Sequence, residues 1–223
     1  MREIISLNQG WAFTKAIGEI PVAMPESWEA VNVPHCWNAV DGQDGGNDYY
    51  RGTCHYAKYL QKQAFPAADR YYLEIQGANS SADVYIDGKK LAHHDGGYST
   101  WRVDITESMG ENSLLVIAVD NSANEEVYPQ MADFTFYGGL YRNVNLICVS
   151  ESHFDLDYYG APGIKVTPAI NGANADVEVE VFLTNVKAGQ TVKYTVYDKE
   201  EKIIASVETA DTKASITIEN VHL

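Results

Sequence analysis

Apolar and polar residues alternate with a period of two along most of this chain, in short runs separated by Gly, Pro, Asn and Asp. That period sends successive side chains to opposite faces of a strand, so that one face is buried and the other wet. Residues 7–13 predict an opening strand whose Trp11 and Phe13 share the core face. Residues 31–33 alternate and stop at Pro34, which cannot donate to a ladder. The pattern recurs at 53–60, 71–75 and 82–86. The last of these runs into Asp87 and Gly88, a type I′ hairpin signal, before residues 89–92 return. Residues 101–106 and 143–149 add further strands, and 112–121 is almost wholly apolar and hence central in its sheet. No stretch of about eleven residues or more carries a helical period.

The pattern changes after Gly160. Aromatic residues thin out, and short alternating runs recur at 164–166, 175–183, 192–197, 203–207 and 214–218. Such strands with turns between them predict an immunoglobulin-like sandwich, without the Cys and Trp signature of antibody domains. Two domains follow, 1–150 and 151–223, joined by a polar crossing at 150–155. The second is expected to be truncated at or before its final strand, which leaves an unpaired edge that favours self-association into a homo-oligomer.

Composition narrows the partners. The chain has 223 residues and a formal charge of -15, so a phosphate-tracking surface of clustered Lys and Arg is missing, and neither nucleic acid nor an anionic membrane is an expected partner. Cys36, Cys54 and Cys148 are odd in number and widely spaced, which suggests neither a disulfide framework nor a zinc site. All three are expected to be small buried hydrophobes. The opening residues lack the apolar core of a secretory signal and no apolar run is long enough to span a membrane, so the expected location is cytoplasmic. A chain whose signal had been removed would read the same, which leaves periplasmic or secreted locations open.

Candidate chemistry gathers in residues 132–144. Asp133, the aromatics Phe134, Phe136 and Tyr137, the pair Gly138 and Gly139, and Arg142 follow one another just before a strand. A turn that aims an acid and a cation beside aromatic faces can bind a polyhydroxylated ligand, the acid accepting hydroxyl protons and the rings stacking on C–H faces. The plainer reading is a bulged corner in which Arg142 pairs a structural carboxylate. The acidic, glycine-rich loop 41–48 lacks the glutamate of an EF-hand, so no metal is expected there. His35, just after Pro34, is expected to be structural. His93 and His94 are adjacent, so a strand would point them to opposite faces where they cannot easily share one ion. They read as a strand end leading into a loop.

The stretch from Asp133 to Arg142 resembles the Asp-Phe-x-x-Tyr-Gly-Gly-Ile/Leu-x-Arg pattern of glycoside hydrolase family 2, the β-galactosidases and β-glucuronidases. Four more segments match in the same order: residues 7–11, 33–38, 49–52, and 96–98 leading to 104–106. The resemblance implies an all-β chain, a jelly-roll (galactose-binding-like) β-sandwich followed by the immunoglobulin-like β-sandwich, with the catalytic (β/α)8 barrel absent. It implies the N-terminal fragment of an exo-acting glycosidase, most like β-galactosidase, that hydrolyses terminal β-D-galactosides with retention. Glucuronidase and mannosidase specificity are not separated from this by the motifs. Asp133, Asn47, Arg142 and Tyr137 are then the substrate-binding candidates. No catalytic residue, metal or cofactor is expected on the chain, and its partners are a β-galactoside or related glycan and the missing barrel. Asn124 and Glu125 mimic the family's acid/base pair but sit in a loop far too early in sequence, a coincidence. A free-standing carbohydrate-binding or adhesive β-sandwich is the alternative.

Overall fold

The computed structural model describes residues 2–15, 18–39, 41, 49–128 and 136–219. They are all-β apart from one 3-10 turn at Lys62–Ala64, and they fall into two compact units, Met1–Ser150 and Glu151–Leu223. Asp133 and Asn47 lie outside the described residues.

In the first unit the strands are β1 (Arg2–Ser6), β2 (Trp11–Thr14), β3 (Glu29–Val31), β4 (Thr53–Gln61) and β5 (Arg70–Ile75). Then come β6 (Ser81–Ile86), β7 (Lys89–Asp95), β8 (Trp101–Asp104), β9 (Asn112–Asp120) and β10 (Val144–Val149). Six of them form one sheet in the order β3-β2-β4-β9-β6-β7, and four form another in the order β1-β10-β5-β8, with every pairing antiparallel. Alternation decides what is buried. Cys54, Tyr56 and Leu60 of β4, Val84 and Ile86 of β6, and Leu115, Ile117 and Val119 of β9 join Leu73 and Ile75 of β5 and Leu146 of β10 in one core. Trp11 and Phe13 belong to it, as their shared face requires. The other face of β9 is also closed, because Leu114 and Val116 pack with Ala57 under Met24, Trp28 and Tyr85. A strand buried on both faces reads as a continuous apolar run, which β9 does.

Three sequence expectations need correction. The opening strand is split, since Leu7 lies in the turn between β1 and β2, and the indole of Trp11 donates back to the Leu7 carbonyl at 2.7 Å. The chain 2–6 is itself a strand, paired along its length with β10. Cys36 is half-buried while Cys54 and Cys148 are buried, because it sits in the turn after Pro34 rather than on a strand. Burial pushes the Cys54 thiol up to about 12 and that of Cys148 to about 11, so neither supplies a thiolate at neutral pH.

The second unit contains β11 (His153–Phe154), β12 (Ile164–Asn171), β13 (Asn174–Val181), β14 (Leu183–Thr184), β15 (Val192–Tyr197), β16 (Ile203–Thr209) and β17 (Lys213–Ile218). β12, β13 and β17 form a three-stranded sheet, and β15 and β16 pair with each other. Val179, Val181, Tyr194 and Ile216 make its small core. β12 is exposed along its whole length, which is how an edge position accommodates Pro168 inside a strand.

Candidate functional site

Residues 138–142 form a corner that closes the end of the first unit's sandwich. The chain after Pro34 runs alongside it: His35 N–H donates to the Leu140 carbonyl at 2.8 Å and Trp37 N–H to the Gly138 carbonyl at 3.1 Å. On the other side Gly139 exchanges two main-chain hydrogen bonds with Asn79. Both glycines are sterically required. A Cβ on Gly138 would stand 2.5 Å from Cε2 of Trp37, and one on Gly139 would stand 2.8 Å from the His35 carbonyl oxygen at a φ of +114°.

Beside the corner lies a buried polar hub. The Asn38 and Asn121 side chains are 0% and 2% exposed, and Asn121 Nδ2 donates to Asn38 Oδ1 at 3.1 Å and to the Tyr50 carbonyl at 2.9 Å. Asn38 Nδ2 donates to Asp41 Oδ2 at 2.6 Å, and Tyr50 N–H donates to the same oxygen at 3.0 Å. Gly52 N–H donates to Asn121 Oδ1 at 2.9 Å. Asp41 and Tyr50 flank the segment that holds Asn47, so both ends of that segment are tied to a base that touches the corner. A network whose members satisfy one another in low dielectric is rigid.

The described candidates serve this frame. Arg142 Nη1 donates to the Tyr98 carbonyl at 2.9 Å and to that of Gln76 at 3.5 Å, while its guanidinium covers the Tyr141 ring at 5.2 Å. Among the described residues its partners are carbonyls and an aromatic face instead of the carboxylate that a structural corner suggested. The ring of Tyr137 stacks on that of Tyr141, 5.9 Å between centroids, and is 54% exposed. The Trp37 indole N–H is buried and has no hydrogen-bond partner among the described residues. His35 is structural: Nδ1 lies 2.8 Å from the Tyr56 hydroxyl and its ring meets Phe13 edge-on. Burial holds it below the usual histidine range and pushes the Tyr56 phenol well above its own. That pair belongs to the core and not to acid/base chemistry.

A second polar cluster, unforeseen in the sequence, stands on the outer face of the six-stranded sheet. β7 runs through to Asp95, so His93 is a strand residue rather than part of a loop. Its Nδ1 is 2.6 Å from Asp83 Oδ1 and its Nε2 2.9 Å from Asp95 Oδ2. A neutral imidazole has one N–H and cannot donate to both carboxylates, so the cation is favoured. Lys90 Nζ also reaches Asp83 at 2.8 Å. Ser81 and Asn124 both donate to Asp95 Oδ1 at 2.7 Å. His94 points the other way and stacks on Trp101 at 4.9 Å. The hydrogen bond to Asp83, then that to Asp95, raises the His93 pKa. Burial acts against ionisation of Asp83, but Lys90 and His93 outweigh it and lower its pKa, and Ser81 leads the lowering at Asp95.

The sign of the resulting pH dependence is fixed by these directions. A raised histidine contributes stability that is complete below about pH 6.5 and lost as pH rises through its folded value. The two depressed carboxylates contribute above about pH 3.9 and lose that as pH falls through theirs. His35 and His94, both lowered by burial, act in the opposite sense to His93. The informative quantity is therefore the difference in urea midpoint between the unchanged protein and His93→Gln. It is expected to be largest near pH 5 and to shrink toward pH 9, whereas a difference independent of pH would exclude the charged clamp.

The first unit is thus an all-β sandwich with a rigid polar frame, aromatic rings and a turn built on two glycines at one corner. Residues 48–153 match the family model described as glycosyl hydrolase 2 galactose-binding domain-like. The chain belongs through this domain to glycoside hydrolase family 2. A β-glucuronidase of Bacteroides fragilis is 32% identical over 195 residues, 86% of this chain and 27% of that protein. The crystal structure of an FMN-binding β-glucuronidase from Facaelibacterium prausnitzii L2-6 is 42% identical with a TM-score of 0.89, and covers 100% of this chain and 34% of its own. A putative β-galactosidase from Bacteroides fragilis is 28% identical with a TM-score of 0.85, covering 100% of this chain and 36% of its own. The chain thus spans between a quarter and just over a third of the length of these proteins.

Proposed function

We propose that this chain is the amino-terminal, sugar-recognising and non-catalytic part of an exo-acting family 2 β-glycosidase that cleaves a terminal β-D-glucuronide with retention. One observation carries the proposal. The described residues on the chain beside the two polar candidates, Asp41 and Tyr50 for Asn47 and Gly138 and Gly139 for Asp133, are tied to one frame built on the buried Asn38 and Asn121. Hydroxyl-binding groups need such support to be held in place without reorganisation.

The glucuronide is preferred to the galactoside that the motifs suggested because the relatives at 32% and 42% identity are β-glucuronidases. A β-galactoside is the second reading, favoured by the β-galactosidase fold match over the whole chain. A uronate carboxylate requires a cation, and Arg51 and Arg142 of this chain are turned to the carbonyls of Asn121 and Tyr98. On this proposal the cation comes from the remainder of the parent, and this chain supplies acceptors for neutral hydroxyls. The full-length parent is expected to turn over p-nitrophenyl β-D-glucuronide with a kcat/KM about a hundredfold or more above that for the galactoside, since a neutral sugar leaves the cation unpaired. A reversed preference would select the galactoside. The 223-residue chain alone should hydrolyse neither, because the retaining carboxylate pair, about 5–5.5 Å apart, would lie in the remainder. Turnover by the chain alone that is lost on denaturation would overturn the non-catalytic assignment.

A further inference from the structure

One tight turn of the second unit is built against its own preference. Ala161 N–H donates to the Tyr158 carbonyl at 2.8 Å, and the two residues between them, Tyr159 and Gly160, take φ of 48° and 67°. Those are the signs of a type I′ turn, whose first inner position ordinarily holds Asn, Asp or Gly. Here it holds a tyrosine. A bulky side chain at positive φ crowds its own backbone, and a strained choice of this kind persists where the side chain is needed for something else. The other non-glycine residues at positive φ among the described ones are Asp87, Asn185 and Glu201, so Tyr159 is the sole aromatic of that set.

The unit itself makes little use of the ring. Tyr159 is 90% exposed and meets the ring of Tyr158 edge-on, 5.1 Å between centroids. Its neighbour does the anchoring, since Tyr158 stacks on Phe182 at 4.0 Å with the planes 17° apart. Asp155 Oδ1 accepts the N–H groups of Asp157 and, at 3.2 Å, Tyr158. Asp155 N–H donates to the Phe182 carbonyl at 2.8 Å, and Phe182 N–H donates to the Gly163 carbonyl at 2.9 Å. Both feet of the turn are therefore fixed to Phe182, between β13 and β14. A large aromatic held out by a turn that cannot retract has the form of an interface anchor, and its docking costs little further ordering.

The surroundings select the partner. Asp157 is exposed two residues from the ring, so the complementary surface is an apolar slot with an Arg or Lys at its edge. A second copy of a chain of net charge -15 would bring like charge to like. The chain spans 27% and 34% of two of its relatives, so most of the parent's surface lies in its remainder. We propose that the turn at 158–161 docks the second unit on the remainder of the parent chain, with Tyr159 seated in such a slot. This rests on the preceding proposal only in requiring that a remainder exists, whichever glycoside it cleaves.

The test is nitration of native protein by tetranitromethane without substrate, read at Tyr159 by tandem mass spectrometry, in the 223-residue chain and in the full-length parent. Tyr159 is expected to react about tenfold more slowly, or worse, in the parent. Tyr159→Asn supplies the residue such a turn prefers, so it should leave the melting temperature of the 223-residue chain unchanged or raise it, yet lower that of the parent by about 3 °C or more. Tyr159→Phe should keep the parent's melting temperature because the ring face is kept. Equal nitration rates in the two proteins would overturn the proposal. So would an Asn variant that melts early in the 223-residue chain, which would make the ring part of the unit's own fold, or one that leaves the parent unchanged. Protection in the 223-residue chain that grows with its concentration would give the site to a second copy and overturn it as well. A reversed sugar preference of the parent would leave every one of these readings untouched.

Discussion

Gly139→Ala is expected to destabilise the first unit by about 3 kcal/mol or more, a drop in melting temperature on the order of 10 °C. The added methyl would meet the His35 carbonyl oxygen at 2.8 Å, which is main chain and cannot rotate away. The residue also sits at a φ of +114°, where an L side chain is strained independently of the clash. Relief requires the strand-like pairing of the corner with the chain at 35–37 to open, and with it the hydrogen bond from His35 N–H to Leu140. Gly18→Ala is the control, since a Cβ there meets nothing within 4 Å. If both variants melt together, the corner is looser than its geometry indicates.

Arg102→Ala is expected to cost about 3–5 kcal/mol. Arg102 on β8 and Glu74 on β5 face each other in register, joined by Nη2 to Oε2 at 2.7 Å and Nε to Oε2 at 2.8 Å, with their side chains only 7% and 6% exposed. Glu74 also accepts from Asn145 at 2.9 Å. Burial opposes its ionisation, but the Asn145 and Arg102 hydrogen bonds outweigh this and its pKa is lowered. By sign, that stabilisation is present above about pH 4.3 and is lost as pH falls through the depressed value. Removing the guanidinium strands a buried carboxylate, so the double variant Arg102→Ala with Glu74→Gln should recover part of the loss. Urea denaturation measures both, and a single variant within 1 kcal/mol of the unchanged protein would mean water reaches the pair.

The sandwich of the first unit was legible because its strands alternate and its turns are marked. Asp87 and Gly88 take φ of 49° and 81° as a type I′ turn requires. β1 was not legible, since Ile4 and Ile5 are adjacent and its sequence REIIS carries no alternation of apolar and polar positions, and its place is fixed by pairing with β10, remote in sequence. β12 was cut short at 166 because Pro168 reads as a breaker, and only an exposed edge tolerates it.

The site was legible in part. Gly138 and Gly139 announce a tight corner, and Phe13, His35, Trp37 and Tyr56 do pack together behind it. The hub of Asn38 and Asn121 was missed because two asparagines 83 positions apart carry no pattern. The His93 clamp was missed for a different reason. Counting back from the hairpin turn places Asp83 opposite Ala92, but a register shift between Val84 and Tyr85 makes it face His93. A β-bulge of this kind leaves no mark in composition and inverts which side chains share a face.

The central claim is that this chain recognises sugar without cleaving it, and Asp133 is where that claim is most exposed. A carboxylate that accepts hydroxyl hydrogen bonds contributes about 1.5–3 kcal/mol through each charged contact, and its loss leaves sugar hydroxyls unpaired in a dry pocket. The decisive measurement is kcat/KM of the full-length parent on its preferred aryl glycoside, with and without Asp133→Ala, together with the melting temperature of both proteins. The account predicts a fall of about ten- to a hundredfold at an unchanged melting temperature. An unchanged kcat/KM, or an early-melting variant whose kinetics are intact, would contradict it and make Asp133 a residue of the corner alone.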